Sequence, residues 1–225
     1  MSGLPGILNV ALCAVVIVAS PTNLSGATPL HHYALDTLAI FDSNGTAQGE
    51  LINGASLGSG ALNLDGLRNY AEFNSPLIPT SGSFSVALFA RELSPTSDRM
   101  EMISQGTSYG PGFYIGYYPP SRSIRVGDQW QTTGVQFPDD HLWHHYAVTV
   151  DDTATRLYID GVLRAKTSPI KISDKGTNTR LGQQFDTWGE FFHGSVDELW
   201  IFSGALSADE VSLLSRTGTR LAGTK

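Results

Sequence analysis

Polarity alternates along most of this chain. Between positions 83 and 91, Phe84, Val86, Leu88 and Ala90 fall on one parity and Ser85, Ala87, Phe89 and Arg91 on the other, the period of two by which a strand presents two faces. This is the cleanest alternation in the chain and predicts a central strand. Positions 143–150 alternate in the same way, His145, Ala147 and Thr149 against His144, Tyr146, Val148 and Val150. Neither set is polar enough to face water alone. Leu157 and Ile159 then oppose Tyr158, and Asp160-Gly161 supplies the positive-φ pair of a tight hairpin, so the chain turns back at Val162. Further strands are predicted near 30–35, 61–65, 69–73, 100–105, 112–118, 123–126, 129–133, 179–183 and 196–202, with 61–65 paired to 69–73 across Asp65-Gly66 and the last strand beside the first. The glycine-rich stretch 42–60 reads as mostly turn and loop. One segment breaks the period. Ser207-Ala208-Asp209-Glu210 has capping-box spacing, Leu206 and Val211 sit where a hydrophobic staple would, and Leu213 and Leu214 supply a buried stripe. A short helix ending near Ser215 or Arg216 follows.

The amino-terminal stretch belongs to another class. Residues 7–19 are apolar except for Asn9, about a dozen positions where roughly twenty are needed to span a bilayer, so no stable membrane span is expected. Residues 1–27 are read as a secretory signal peptide, cut after Ala27 in Ser25-Gly26-Ala27 or nearer Ala19, or else as an uncleaved apolar arm packed in an assembly. One domain over 28–216 and a loose tail over 217–225 account for the rest. The single cysteine, Cys13, lies in the apolar run, so the domain holds no disulfide. Export gives meaning to the sequons at Asn23 and Asn44 as glycosylation sites. A hydrophobic fraction of 41%, only 16% charged residues and 24 glycines suit one β-sandwich with many turns. The net charge of -7, with no basic run, argues against a nucleic-acid partner.

Several motifs in order point to a family. Tyr33-Ala34-Leu35-Asp36, Asp42-Ser43-Asn44-Gly45, the stretch from Leu64 to Phe73, Trp143-His144-His145-Tyr146-Ala147-Val148-Thr149-Val150-Asp151, Leu157-Tyr158-Ile159-Asp160-Gly161-Val162-Leu163, the stretch from Gly194 to Phe202 and Ala205 to Val211 together resemble the laminin-G-like, concanavalin A-like lectin-glucanase jelly-roll family. The resemblance implies an all-β fold, a two-sheet antiparallel jelly-roll sandwich with one short C-terminal helix. It also implies a structural Ca2+ joining the amino-terminal segment to the last strand. The matching positions are Asp36 or Asp42 and Asp197, with Asp65 a weaker addition, since hard cations take carboxylate and carbonyl oxygens in such turns.

A fold of this kind hosts many functions, so function rests on the side chains. Glycoside hydrolysis needs two carboxylates facing each other across a groove, and no strand offers alternating acids. Glu92, Asp98 and Glu101 are separated by Ser94-Pro95-Thr96-Ser97 and read as solvated loop charges. His144 and His145 point to opposite faces, which rules out joint metal binding from one side. His145 reads as a satisfied interior group and His144 as a partly exposed one. Sugar binding needs exposed aromatic faces beside amides and carboxylates. Tyr117, Tyr118 and Trp130 from the middle strands, and Gln184 and Trp188 in the loop before the last strand, are the candidates. The sequence thus predicts no catalytic activity but a recognition module, extracellular or at the cell surface, for a glycan or glycoprotein. The alternative is a self-associating structural protein of a coat, filament or particle.

Overall fold

The computed structural model describes residues 26–97, 99–107, 110–127, 132–172, 176–184 and 190–218. The strands, in chain order, are β1 (Thr28–Tyr33), β2 (Gly49–Ile52), β3 (Ser56–Leu57), β4 (Leu62–Asp65), β5 (Tyr70–Phe73), β6 (Phe84–Glu92), β7 (Met100–Thr107), β8 (Gly110–Tyr118), β9 (Ser123–Gly127), β10 (Thr132–Gln136), β11 (His144–Val150), β12 (Thr155–Ile159), β13 (Val162–Thr167), β14 (Asn178–Leu181) and β15 (His193–Ser203), followed by helix α1 (Ala208–Thr217). Sheet A runs β13-β12-β11-β6-β15-β4-β3, with β1 also paired to β15, and sheet B runs β10-β9-β8-β7-β14-β5-β2. Every named strand pairing is antiparallel. The two-sheet jelly-roll expectation therefore holds.

The core lies between the sheets. Phe84, Val86, Leu88 and Ala90 of β6 meet Tyr146, Val148 and Val150 of β11 and Phe113, Ile115 and Tyr117 of β8 there. The opposite parity of β6 and β11 is buried as well. Ala87, Ala147, Tyr158 and Phe202 form a second cluster with Leu206, Val211 and Leu214, so α1 covers the outer face of sheet A. The helix starts at the capping box the sequence predicts: Glu210 N–H donates to Ser207 Oγ at 3.3 Å and Ser207 N–H donates to Glu210 Oε2 at 2.7 Å. Leu214 is buried, whereas Leu213 is exposed. Ala27, the predicted cleavage position, is itself buried in the second cluster.

The stretch 42–60, mostly turn and loop as expected, also contains the short strands β2 and β3. One local expectation gives way, for β4 and β5 do not pair with each other: β4 joins β15 and β3 in sheet A, β5 joins β14 and β2 in sheet B. The chain changes sheets at Asp65, whose Oδ1 accepts the N–H groups of Leu67, Arg68 and Asn69 while Asn69 Oδ1 accepts the Asp65 N–H at 2.8 Å. These bonds make a compact corner in place of a hairpin. The predicted turn at Asp160-Gly161 does form, with φ of 52° and 76°, and returns β12 to β13 with Ile159 opposite Val162. On β15, Glu198 has φ 50° at a register shift between Asp197 and Trp200. The strand pairs with β4 upstream of that bulge and with β1 downstream of it.

Candidate functional site

The outer face of sheet B carries a dense set of polar and aromatic groups. Parity puts it there: with Phe113, Ile115 and Tyr117 of β8 in the core, Tyr114, Gly116 and Tyr118 point away from it. The register then lines up two rows across the sheet. In the first, Arg125 of β9, Gly116 of β8 and Glu101 of β7 lie side by side. A Cβ at Gly116 would overlap the Glu101 carboxylate, so the bare backbone lets Arg125 and Glu101 form their ion pair across it. In the second, Tyr114, Ser104, Arg180, Glu72 and Glu50 follow one another across β8, β7, β14, β5 and β2. Arg180 Nε donates to Glu72 Oε2 at 2.5 Å and Nη1 to Gln183 Oε1 at 3.0 Å.

Two zones result. The inner zone is closed: Glu101, Arg125, Tyr114 and Glu190 are all buried. Arg99 Nη1 donates to Glu190 Oε1 at 2.5 Å and Arg125 Nη2 lies 3.9 Å from Glu190 Oε2. The Arg125 guanidinium rests over the Tyr114 ring at 5.1 Å. The outer zone, at β5 and β14, is half-exposed. Arg180 lies 4.7 Å over Tyr70, and Phe191 stands 6.4 Å from Tyr70 between ring centroids, held where Phe191 bridges Glu101 and the next residue's N–H donates to Gly182 O. Ring faces, a cation, a carboxylate and an amide thus share one partly wet patch.

The sequence candidates fall unevenly on this surface. Tyr118 is half-buried on the outer side and Gln184 is buried beside the patch. Trp130 and Trp188 lie outside the described residues. Tyr117 is corrected: it is fully buried, stacks on Phe137 at 4.3 Å and donates its hydroxyl to Glu92, so its ring offers no face to a sugar. Glu92 and Glu101 are likewise strand residues, 2% and 0% exposed, and not solvated loop charges; Asp98 lies outside the described residues. Tyr70, Glu72 and Arg180 escaped the sequence reading, although Tyr70 and Glu72 alternate with Ala71 and Phe73 in a way that marks an outward pair.

The expected calcium ligands do not gather. Asp36 is exposed, Asp197 is buried on β15, and among the described residues no three His, Cys, Asp or Glu side chains form a metal-binding group. Asp42 is already filled by donors: Oδ1 accepts from the N–H of His32, Asn44 and Gly45, and Oδ2 from His31 Nδ1 at 2.6 Å. Burial pushes its carboxyl up, but these bonds outweigh that and hold it below the ordinary carboxylate value. A cation there would face N–H groups, so Asp42 does not fit the role. Asn44 is exposed; Asn23 lies outside the described residues.

At the far edge of the sandwich, His144 and His145 part company. His144 Nδ1 bonds Asp160 Oδ2 at 2.7 Å and Nε2 bonds Asp140 Oδ2 at 3.0 Å. The Asp160 bond outweighs burial, Asp140 adds to it, and the imidazole pKa is raised. His145 is buried against Phe89 at 4.9 Å, and contrary to expectation its Nδ1 has no partner among the described residues. Burial pushes its pKa down to about 4.

A laminin-G family model, described as the concanavalin A-like lectin/glucanases superfamily, matches residues 65–212. The chain belongs to this superfamily. No curated protein matches its sequence. Among solved structures, the superfamily member is similar to domain 4 of AbnA, a GH43 extracellular arabinanase of Geobacillus stearothermophilus in complex with arabinotriose, with a TM-score of 0.69 and 22% identity over 85% of this chain and 100% of that one. It is also similar to the binding domain of botulinum neurotoxin DC in complex with SialylT, with a TM-score of 0.65 and 13% identity over 85% of this chain. The chain spans about half of that toxin domain, 52%. At these identities the likeness is one of fold.

Proposed function

We propose that the domain is a non-catalytic carbohydrate-recognition module acting outside the cell, and that it binds glycan on the outer face of sheet B. The observation that carries this reading is the half-exposed set of Tyr70, Phe191, Arg180 and Glu72, backed by the buried amide of Gln183, which pairs ring faces for sugar C–H surfaces with donors and acceptors for hydroxyls. The arabinotriose and SialylT in the two neighbouring structures agree with it. Tyr118, half-buried on the same outer face, extends the surface, and Trp188 is proposed as a further sugar platform on its place in the sequence alone. Hydrolysis would need one carboxyl kept protonated opposite another acting as base or nucleophile. On this face Glu72, Glu101 and Glu190 are instead each held by an arginine. The apolar run at 7–19 accords with export.

An oligosaccharide array followed by calorimetry tests the reading. Tyr70→Ala and Trp188→Ala are each expected to weaken binding about tenfold, the effect of losing roughly 1.4 kcal/mol of stacking. Binding that survives both substitutions unchanged would move the site elsewhere. Self-association is the second reading, favoured by exposed Val162 and Leu163 on β13, the last strand of sheet A. A concentration-independent monomer in light scattering would end it.

A further inference from the structure

A second concavity lies at the opposite edge of the molecule from β5 and β2. There β10, the last strand of sheet B, meets the β11–β13 end of sheet A around a cavity of about 250 Å³. Its apolar wall is Val135, Pro138 and Ile159, and its polar wall is Gln136, His144, Asp160 and Arg164. Drug-sized ligand sites run to about 300–1,000 Å³, so this one has room for a single small ring.

The polar wall is half spent. Asp160 Oδ1 accepts the His145 N–H at 2.9 Å and Oδ2 engages His144 at 2.7 Å, which fixes the carboxylate at the pocket mouth and leaves each oxygen with further acceptor capacity. Gln136 and Arg164 are exposed. No hydrogen bond or ion pair engages either side chain among the described residues. An amide and a guanidinium therefore stand ready as donors opposite a fixed acceptor. Charge narrows the occupant further. His144 has a carboxylate oxygen on each ring nitrogen, Asp160 at 2.7 Å and Asp140 at 3.0 Å; ionised carboxylates only accept, so this arrangement matches a ring with both N–H groups in place, and its charge and that of Arg164 offset the two acids. Neither an anion nor a cation gains from such a site as a whole. A molecule with an apolar ring face and hydroxyls that both give and accept gains from every wall.

We infer that this edge pocket binds one neutral sugar ring, its C–H face on Val135, Pro138 and Ile159 and its hydroxyls shared between Asp160, Gln136 and Arg164. This site is independent of the patch on sheet B and stands or falls on its own lining. With both sites occupied, one module would hold two glycan ends, and clustered ligands would bind with an avidity that neither site has alone.

The test is a two-dimensional NMR titration of the full chain with the methyl glycosides of galactose, glucose and arabinose, with glucuronate and cyclohexanol as the charged and apolar rings. The neutral glycosides are expected to shift the side-chain signals of Gln136 and Arg164, and the backbone amides of Val135 and Asp160, which the variants retain, with millimolar Kd. The double variant Gln136→Ala/Arg164→Ala, at exposed positions and so with unchanged Tm, is expected to weaken this at least about tenfold, a loss of roughly 1.4 kcal/mol. Tyr70→Ala is expected to leave it untouched, which separates the two sites. Unmoved Gln136 and Arg164 signals, shifts that persist in the double variant, or tighter binding of glucuronate or cyclohexanol than of the neutral glycosides would each overturn the assignment.

Discussion

Each outer face of the sandwich has a part that is shielded from water, by opposite chemistry. On sheet A, small and aromatic residues, Ala87, Ala147, Tyr158 and Phe202, lie beneath the apolar stripe of α1. On sheet B, the inner zone buries ions: Glu101, Arg125 and Glu190. The first arrangement stabilises the fold in the ordinary way, by about 25 cal/mol for each Å² of apolar surface removed from water. The second gains little net stability, because desolvation offsets much of the attraction between charges. What a buried ion network can supply is fixed orientation. The contrast separates a face built to be covered from a face built to hold its surroundings in place.

Breaking an ion pair should hurt most. Arg125→Met strands a buried carboxylate and is expected to lower stability by about 3–5 kcal/mol, whereas Arg125→Met combined with Glu101→Leu should recover most of the loss. Urea midpoints read both, and a single-variant cost below about 1 kcal/mol would mean that the network is wet in solution. Sheet A has its own weak point in His145. Its pKa falls from 6.5 to about 4 on folding through burial, so the unfolded chain takes up a proton that the fold refuses. Stability is complete above pH 6.5 and is lost as pH falls towards about 4, by about 3 kcal/mol. His144 has the opposite sign: its pKa is raised, and its contribution, full below pH 6.5, is lost as pH rises through the raised value. Asp42 and Asp160, held below the ordinary carboxylate value, lose theirs only at lower pH. Replacing His145 by Phe should flatten the limb between pH 6.5 and 4 in stepped urea titrations; a wild-type profile already flat there would contradict the burial of a neutral imidazole. The gentlest change is Ser207→Ala, which removes a cap worth about 1 kcal/mol. Hydrogen exchange should speed up in α1 and leave the amides of β7 and β8 unaltered. Equal acceleration in both would show that the two covers are coupled.

Much of the sheet A story was legible in the sequence, because its determinants are local. Alternation in β6 and β11, the Asp160-Gly161 turn and the Ser207–Glu210 box each lie within a few residues of the structure they specify. Sheet B was harder. Alternation says which residues share a face but not which sheet a strand joins, so the corner at Asp65 read as a hairpin. Glu101 read as wet because its partner, Arg125, is 24 positions away and nothing in a linear pattern announces a pairing at that range. Tyr117 is different, since Phe113, Ile115 and Tyr117 share one parity and the signal for its burial was present; its ring was read as a stacking face instead. The outward row of Tyr70, Glu72 and Arg180 needed the β5–β14 register before it became a patch.

The pairing of β1 with β15 carries a consequence for how the chain comes to be folded. Thr28 lies opposite Ser203, 175 positions along the chain, and β1 has no other strand partner among the described residues. During synthesis the first strand must therefore wait, its Tyr33 side chain without the core it will enter, until nearly the whole domain has emerged. Such long-range closure makes for slow folding and leaves an unpaired strand searching for a partner in the interval. The bulge at Glu198 divides β15 between β4 and β1, so the last strand to be made is the one that ties two early strands together, and completion of the fold waits for the late part of the domain.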